Sequence, residues 1–137
     1  MARTFNLKPG EARKKWAEAL RSGKYKQGRS RLCAQNADKT EVYCCLGVAC
    51  EVFMEHEDGL EKRTSAERAS SEYVDSRHAS GLEMPFIVRD WLGMSSCEGA
   101  LINGRSLITV NDTLRMDFLR IADIVESDQL PKVNGFE

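Results

Sequence analysis

Apolar residues recur at helical spacing in four stretches of the chain, and Gly, Pro, Asn and Asp punctuate the gaps between them. In "PGEARKKWAEALRSGKY", Ala12, Trp16, Ala19 and Leu20 share one face while Arg13, Lys14, Lys15 and Glu18 take the other, which predicts a helix ending at a Gly23 cap. The basic stretch "KYKQGRSRL", around Gly28, reads as a loop or edge strand. A hairpin is expected next, with strands Arg31 to Ala34 and Glu41 to Tyr43 around an Asn36-Ala37-Asp38-Lys39 turn. In "CCLGVACEVF", a helix starting near Cys44 places apolar side chains on nearly every side. One arc remains, carrying Cys44, Gly47, Glu51 and Glu55, so Cys44 is expected to face a surface or cleft while Cys45 and Cys50 face the core.

Residues 55–83 hold many charges and few large apolar side chains, so they read as a polar insertion that adds little core. Within it, Thr64 and Glu67 suggest a capping box for a short surface helix over "SAERASSEYV"; a mobile insertion is the alternative. "MPFIVRDWLGM" is helical, with Pro85 in the first turn, a stripe of Ile87, Val88, Trp91 and Leu92, and Gly93 as the stop. Asn103-Gly104 predicts a two-residue turn joining strands Ala100–Ile102 and Ser106–Val110. The last helix aligns Phe118, Ile121, Ala122 and Val125 behind an Asp117 N-cap, and Pro131 and Gly135 mark a tail. The expected architecture is α+β: one domain over residues 1–137, three to four helices with one central and buried, packed on a small antiparallel sheet built from two hairpins.

Composition narrows the function classes. With 42% hydrophobic and 30% charged residues the chain is globular rather than disordered or fibrous. The run free of polar side chains from Cys44 to Cys50 is too short to span a bilayer, and "MARTFNLKPGEARKKW" has no apolar signal core, so a cytoplasmic protein without membrane attachment is expected. Five cysteines, an odd number, then read as free thiols. Their spacing lacks the paired C-x2-C pattern of a zinc site, and no metal or cofactor is expected. Net charge is −1, but residues 1–31 carry +8 and the remainder −9. That polarity suits an anionic partner, or the two ends neutralise one another.

Three chemistries are open. Lys24, Tyr25, Lys26, Gln27, Arg29 and Arg31 surround the glycine loop, and with Cys44 and Gly47 at the start of the central helix they form a candidate anion site. Asn111 and Asp112 would add groups that read hydroxyls or ring nitrogens, although Asn-Asp also makes ordinary turns. Alternatively Cys44, activated at a helix N-terminus, is a hydrolase nucleophile, with Gln27 in an oxyanion role and Asn111 or Asp112 orienting a base. The base would have to be His56 or His78, both in or beside the polar insertion. A third reading, nucleic-acid binding through the basic N-terminal region, sits poorly with a pI near 6.2.

The blocks "ALRSGKYKQGRSRL", "YCCLGVACEV", "MPFIVRDWLG", "VND" and "FLRIADIVE", in that order, resemble a widespread group of small hypothetical proteins encoded by tailed bacteriophages and prophages. The resemblance covers most of the chain outside 55–83. Matching positions are Tyr25, Gln27, Cys44, Cys45, Gly47, Cys50, Pro85, Trp91, Gly93, Asn111 and Asp112. It implies an accessory protein acting by binding in the host cytoplasm, either on a host protein in a counter-defence role or by sequestering a phosphate-bearing small molecule.

Overall fold

A computed structural model describes residues 4–131, so Gly135 lies outside the described residues. The element order is α1 (Pro9–Arg21), β1 (Cys33–Gln35), β2 (Glu41–Tyr43), α2 (Cys45–His56), β3 (Glu61–Ser65), β4 (Ser70–Val74), β5 (Ala79–Ser80), α3 (Phe86–Leu92), α4 (Leu107–Asp112) and α5 (Phe118–Val125). The sheet runs β2-β1-β4-β3, antiparallel throughout, and β5 pairs with β4 beyond the end of β1. The α+β class holds, with five helices among the described residues rather than three or four.

Helix α1 buries Ala12, Trp16, Ala17 and Leu20 against α5, α2 and α3. The Trp16 indole N–H donates to the Cys45 carbonyl at 2.9 Å, fixing α1 to the start of α2. As expected from its apolar circumference, α2 is the central element, and Leu46, Val48, Ala49, Cys50 and Phe53 are fully buried. Gly93 ends α3 at φ 66°, a left-handed cap, and the Asp117 carboxylate accepts from the Arg120 amide to start α5.

Two expectations fail. Residues 55–83 are neither a surface helix nor a loose insertion: they supply β3, β4 and β5. In β4 the alternation is strand-like, with Ser71 and Tyr73 inward and Glu72 outward, and Tyr73 is fully buried, so the segment does contribute core. Thr64 is no N-cap; its hydroxyl pairs across the ladder with that of Ser71 at 2.9 Å. Nor does the second hairpin form. The chain does turn at Asn103-Gly104, but through a three-residue loop, 102–104, rather than the expected two-residue turn: Leu101 N–H donates to Arg105 O at 2.7 Å, the Gly104 amide donates to Leu101 O at 3.1 Å, and pairing stops at one bridge, Ala100 to Ser106. Ser106 then accepts from the Thr109 amide as an N-cap, and "LITVND" winds into α4 with Leu107, Val110 and Asn111 buried. That spacing is helical. The β-branched content suggested a strand, and packing of one helical face overrode it.

The inner face of the sheet meets α2 through polar groups. Lys62 Nζ reaches Glu41 and Glu51, each at 3.0 Å, and lies over the rings of Tyr43 and Tyr73. Tyr73 donates to Glu51 at 2.6 Å, and Tyr43 and Cys33 both donate to Glu41. Burial pushes the Glu41 carboxyl up, but the hydrogen bonds from Lys62, Cys33 and Tyr43 outweigh it and hold the group below the usual carboxylate range. The opposite face carries Arg63 and Glu72, both exposed.

Candidate functional site

The side chains singled out in the sequence separate into three places. Gln27, Cys44, Gly47 and Asn111 belong to an interior junction. Asn111 is 0% exposed, and all four of its side-chain hydrogen bonds are made. Its Oδ1 accepts from Gln27 Nε2 at 2.9 Å and from the Cys45 amide at 3.2 Å, while Nδ2 donates to Gly28 O at 2.9 Å and Asp112 Oδ1 at 2.8 Å. An asparagine side chain has no further capacity, so Asn111 cannot read a ligand in this arrangement. Gln27 Nε2 spends its second hydrogen on Met116 O at 2.8 Å, which leaves no donor for an oxyanion. The pair joins the glycine loop, α2 and α4.

Cys44 does not face a cleft. It is the N-cap of α2 and 4% exposed. Burial pushes its thiol up to about 12, and the amides of Gly47 and Leu46, which favour the thiolate, recover only part of that shift. The sequence reading weighed the helix terminus correctly and missed desolvation, which is the larger effect. The α2 N-terminus is equally closed to an external anion, because Asn111 takes the first amide. Cys45 and Cys50 are fully buried as expected, with their thiols also pushed upward by burial. The histidines offer no base: His56 ends α2, about 18 Å along the axis from Cys44, and His78 stacks on Phe86 at 4.4 Å. Native alkylation with iodoacetamide, mapped by peptide mass, is expected to modify half-exposed Cys97 first and to spare Cys44, Cys45 and Cys50 until the protein unfolds. Rapid labelling of Cys44 in the folded state would contradict this burial.

Lys24 and Tyr25 occupy a second place, a groove beside the inner sheet face. Lys24 Nζ pairs with Glu55 at 3.2 Å, the Tyr25 hydroxyl donates to the same carboxylate at 3.1 Å, and the Tyr25 ring meets Tyr43 edge-on. Each of its carboxylates has a lysine partner, Glu55 in Lys24 and Glu41 and Glu51 sharing Lys62, which leaves the groove without a spare cation for an anion. Lys26 and Arg29 are exposed on the loop between.

Arg31 stands elsewhere, in a cleft of about 360 Å³ on the outer sheet face. Arg63 from β3 and Arg68 from the β3–β4 turn line it too, with Ser65, Ser70, Ser80 and the apolar Leu82. Strand β4 brings Glu72 opposite Arg63, and Arg68 Nη1 lies 3.7 Å from the Glu72 carboxylate. Gly81 forms one wall: a Cβ there would sit 3.7 Å from Glu72 Cγ and 3.9 Å from Arg31 Nη1. Among the described residues Arg31 has no carboxylate within ion-pair distance. Three guanidinium groups beside hydroxyls make an anion-binding chemistry. Sequence reasoning found Arg31 and missed the others, because it placed Arg63 and Arg68 in an insertion. The inward-outward alternation of Ser71, Glu72 and Tyr73 was the available signal.

Part of the basic N-terminal region is occupied. Arg13 donates to the carbonyls of Leu92 and Gly93, and Arg21 pairs with Asp123 and Glu126. The charge asymmetry of the sequence is therefore in part cancelled by folding.

These features define a single-domain α+β protein with helices on one face of a small sheet and an arginine-lined cleft on the other. The chain belongs to the family described as a domain of unknown function, DUF8296, whose profile matches residues 9–129. No curated protein and no solved structure matches it.

Proposed function

We propose that this is a phage-type accessory protein that works by binding, and that it captures a phosphate-bearing small molecule in the outer-face cleft. The observation that carries the reading is the convergence of Arg31, Arg63 and Arg68 on one serine-lined concavity. At about 360 Å³ the cleft lies at the small end of the ~300–1,000 Å³ range of ligand pockets, the scale of a mononucleotide rather than a polymer. Leu82, exposed at its rim, offers an apolar surface for the body of such a ligand. Sequestration of a signalling molecule, with interference in a host process as its consequence, is the role this chemistry favours.

Calorimetric titration with inorganic phosphate and with 5′-mononucleotides tests it. Arg31→Ala is expected to weaken binding about tenfold or more, the worth of one charge-assisted hydrogen bond, with the melting temperature unchanged because Arg31 holds no structural ion pair. Unchanged affinity in that variant would remove the cleft from consideration.

A further inference from the structure

We infer that Glu72 is a built-in competitor for the cleft's arginines, and that it restricts the site to doubly charged phosphate monoesters. The inference rests on the cleft being the binding site. Glu72 is the acidic residue of the lining and lies among all three guanidinium groups: opposite Arg63 in the ladder, 3.7 Å from Arg68, and across the Gly81 wall from Arg31. Its hold is loose. The Arg68 contact exceeds hydrogen-bond length, and the two side chains are 70% and 47% exposed, so the carboxylate can swing into solvent at small cost. Glu61 draws on Arg63 from outside the cleft at 3.4 Å.

The consequence is a charge threshold. An incoming monoanion merely replaces one carboxylate by an equal charge, and the arginines gain nothing. A phosphate monoester, with its second pKa of about 6, brings nearly two charges and three acceptor oxygens at neutral pH. It exceeds the single charge that Glu72 supplies to the three arginines. A phosphodiester carries one charge and does not. The site thereby discriminates a terminal phosphate from the internal phosphates of a nucleic-acid backbone.

The test compares methyl phosphate with dimethyl phosphate, titrated about two pH units above the monoester's second pKa. The native protein is expected to bind methyl phosphate about tenfold or more tighter than dimethyl phosphate. In Glu72→Gln, dimethyl phosphate should bind at least about fivefold tighter than it does to the native protein, and the preference should narrow. Arg31→Ala should weaken both ligands. If Glu72→Gln weakens methyl phosphate or leaves both affinities unchanged while Arg31→Ala still impairs binding, the competitor role is overturned and the cleft stands. If neither the native protein nor Glu72→Gln binds either ester, or Arg31→Ala has no effect, the cleft reading itself fails. Circular dichroism melts of each variant separate these outcomes from misfolding.

Discussion

Gly47→Ala is expected to destabilise the protein by at least about 3 kcal/mol, and to prevent folding if the native stability is at the low end of the usual range. Helix propensity alone gives the opposite sign, since alanine is favoured over glycine inside a helix by about 1 kcal/mol. The difference is steric. A Cβ on Gly47 would lie 1.7 Å from the Leu32 carbonyl oxygen and 2.6 Å from its carbon. These are backbone atoms of the residue that leads into β1, and they have little room to retreat: the Leu32 side chain is fully buried and its amide donates to Gly81 O at 2.7 Å. Relief would require α2 to withdraw from the sheet. Urea denaturation of the variant measures the effect, and a neutral or stabilised Gly47→Ala would mean that α2 and β1 do not approach as described.

The second large effect concerns the interior junction. Asn111→Ala is expected to cost about 3 kcal/mol, because it leaves the buried Cys45 amide unpaired and takes a partner from the half-buried Gly28 carbonyl and Gln27 amide, at about 1–3 kcal/mol for a buried group left unpaired and less for the other two. Asn111→Asp should be comparably harmful. It keeps the acceptor but loses both donors, and it sets a carboxylate 2.8 Å from Asp112. Thermal melts of the two variants check this. A catalytic asparagine would behave differently: its loss would abolish an activity and leave the melting temperature close to native. Two fully stable variants would reopen the hydrolase reading that the burial of Cys44 argues against.

The positions singled out in the sequence thus divide by role. Gln27, Cys44, Cys45, Gly47, Cys50 and Asn111 work inside the molecule as packing and hydrogen-bond fixtures. Their grouping in the sequence reading was correct in one respect: Gln27, the start of α2 and Asn111 do meet. The inference that they meet around a ligand was wrong, because residue types alone do not say whether a polar group's partners are protein or solvent. Two of the cleft arginines, Arg63 and Arg68, come from 55–83, the segment that reads from the sequence as an insertion and that the family match nonetheless spans.

The amino-acid sequence by itself determined the elements whose local signals agree: α1 with its Gly23 end, the buried α2, α3 stopped by Gly93, α5 capped by Asp117, the first hairpin, and hence the α+β class. Each of those has an apolar period and a terminal signal pointing the same way, so neighbouring residues suffice to specify it. Tertiary structure decided the rest. "SLITV" became a helix because burying Leu107, Val110 and Asn111 on one face outweighed β-branched propensity. The polar 55–83 became three strands because β4 finds its partners in β1, β3 and β5, and its inward side chains find theirs on α2. Cys44 became an inert cap rather than a nucleophile because desolvation, which depends on everything packed around a thiol, outweighed the amides beside it.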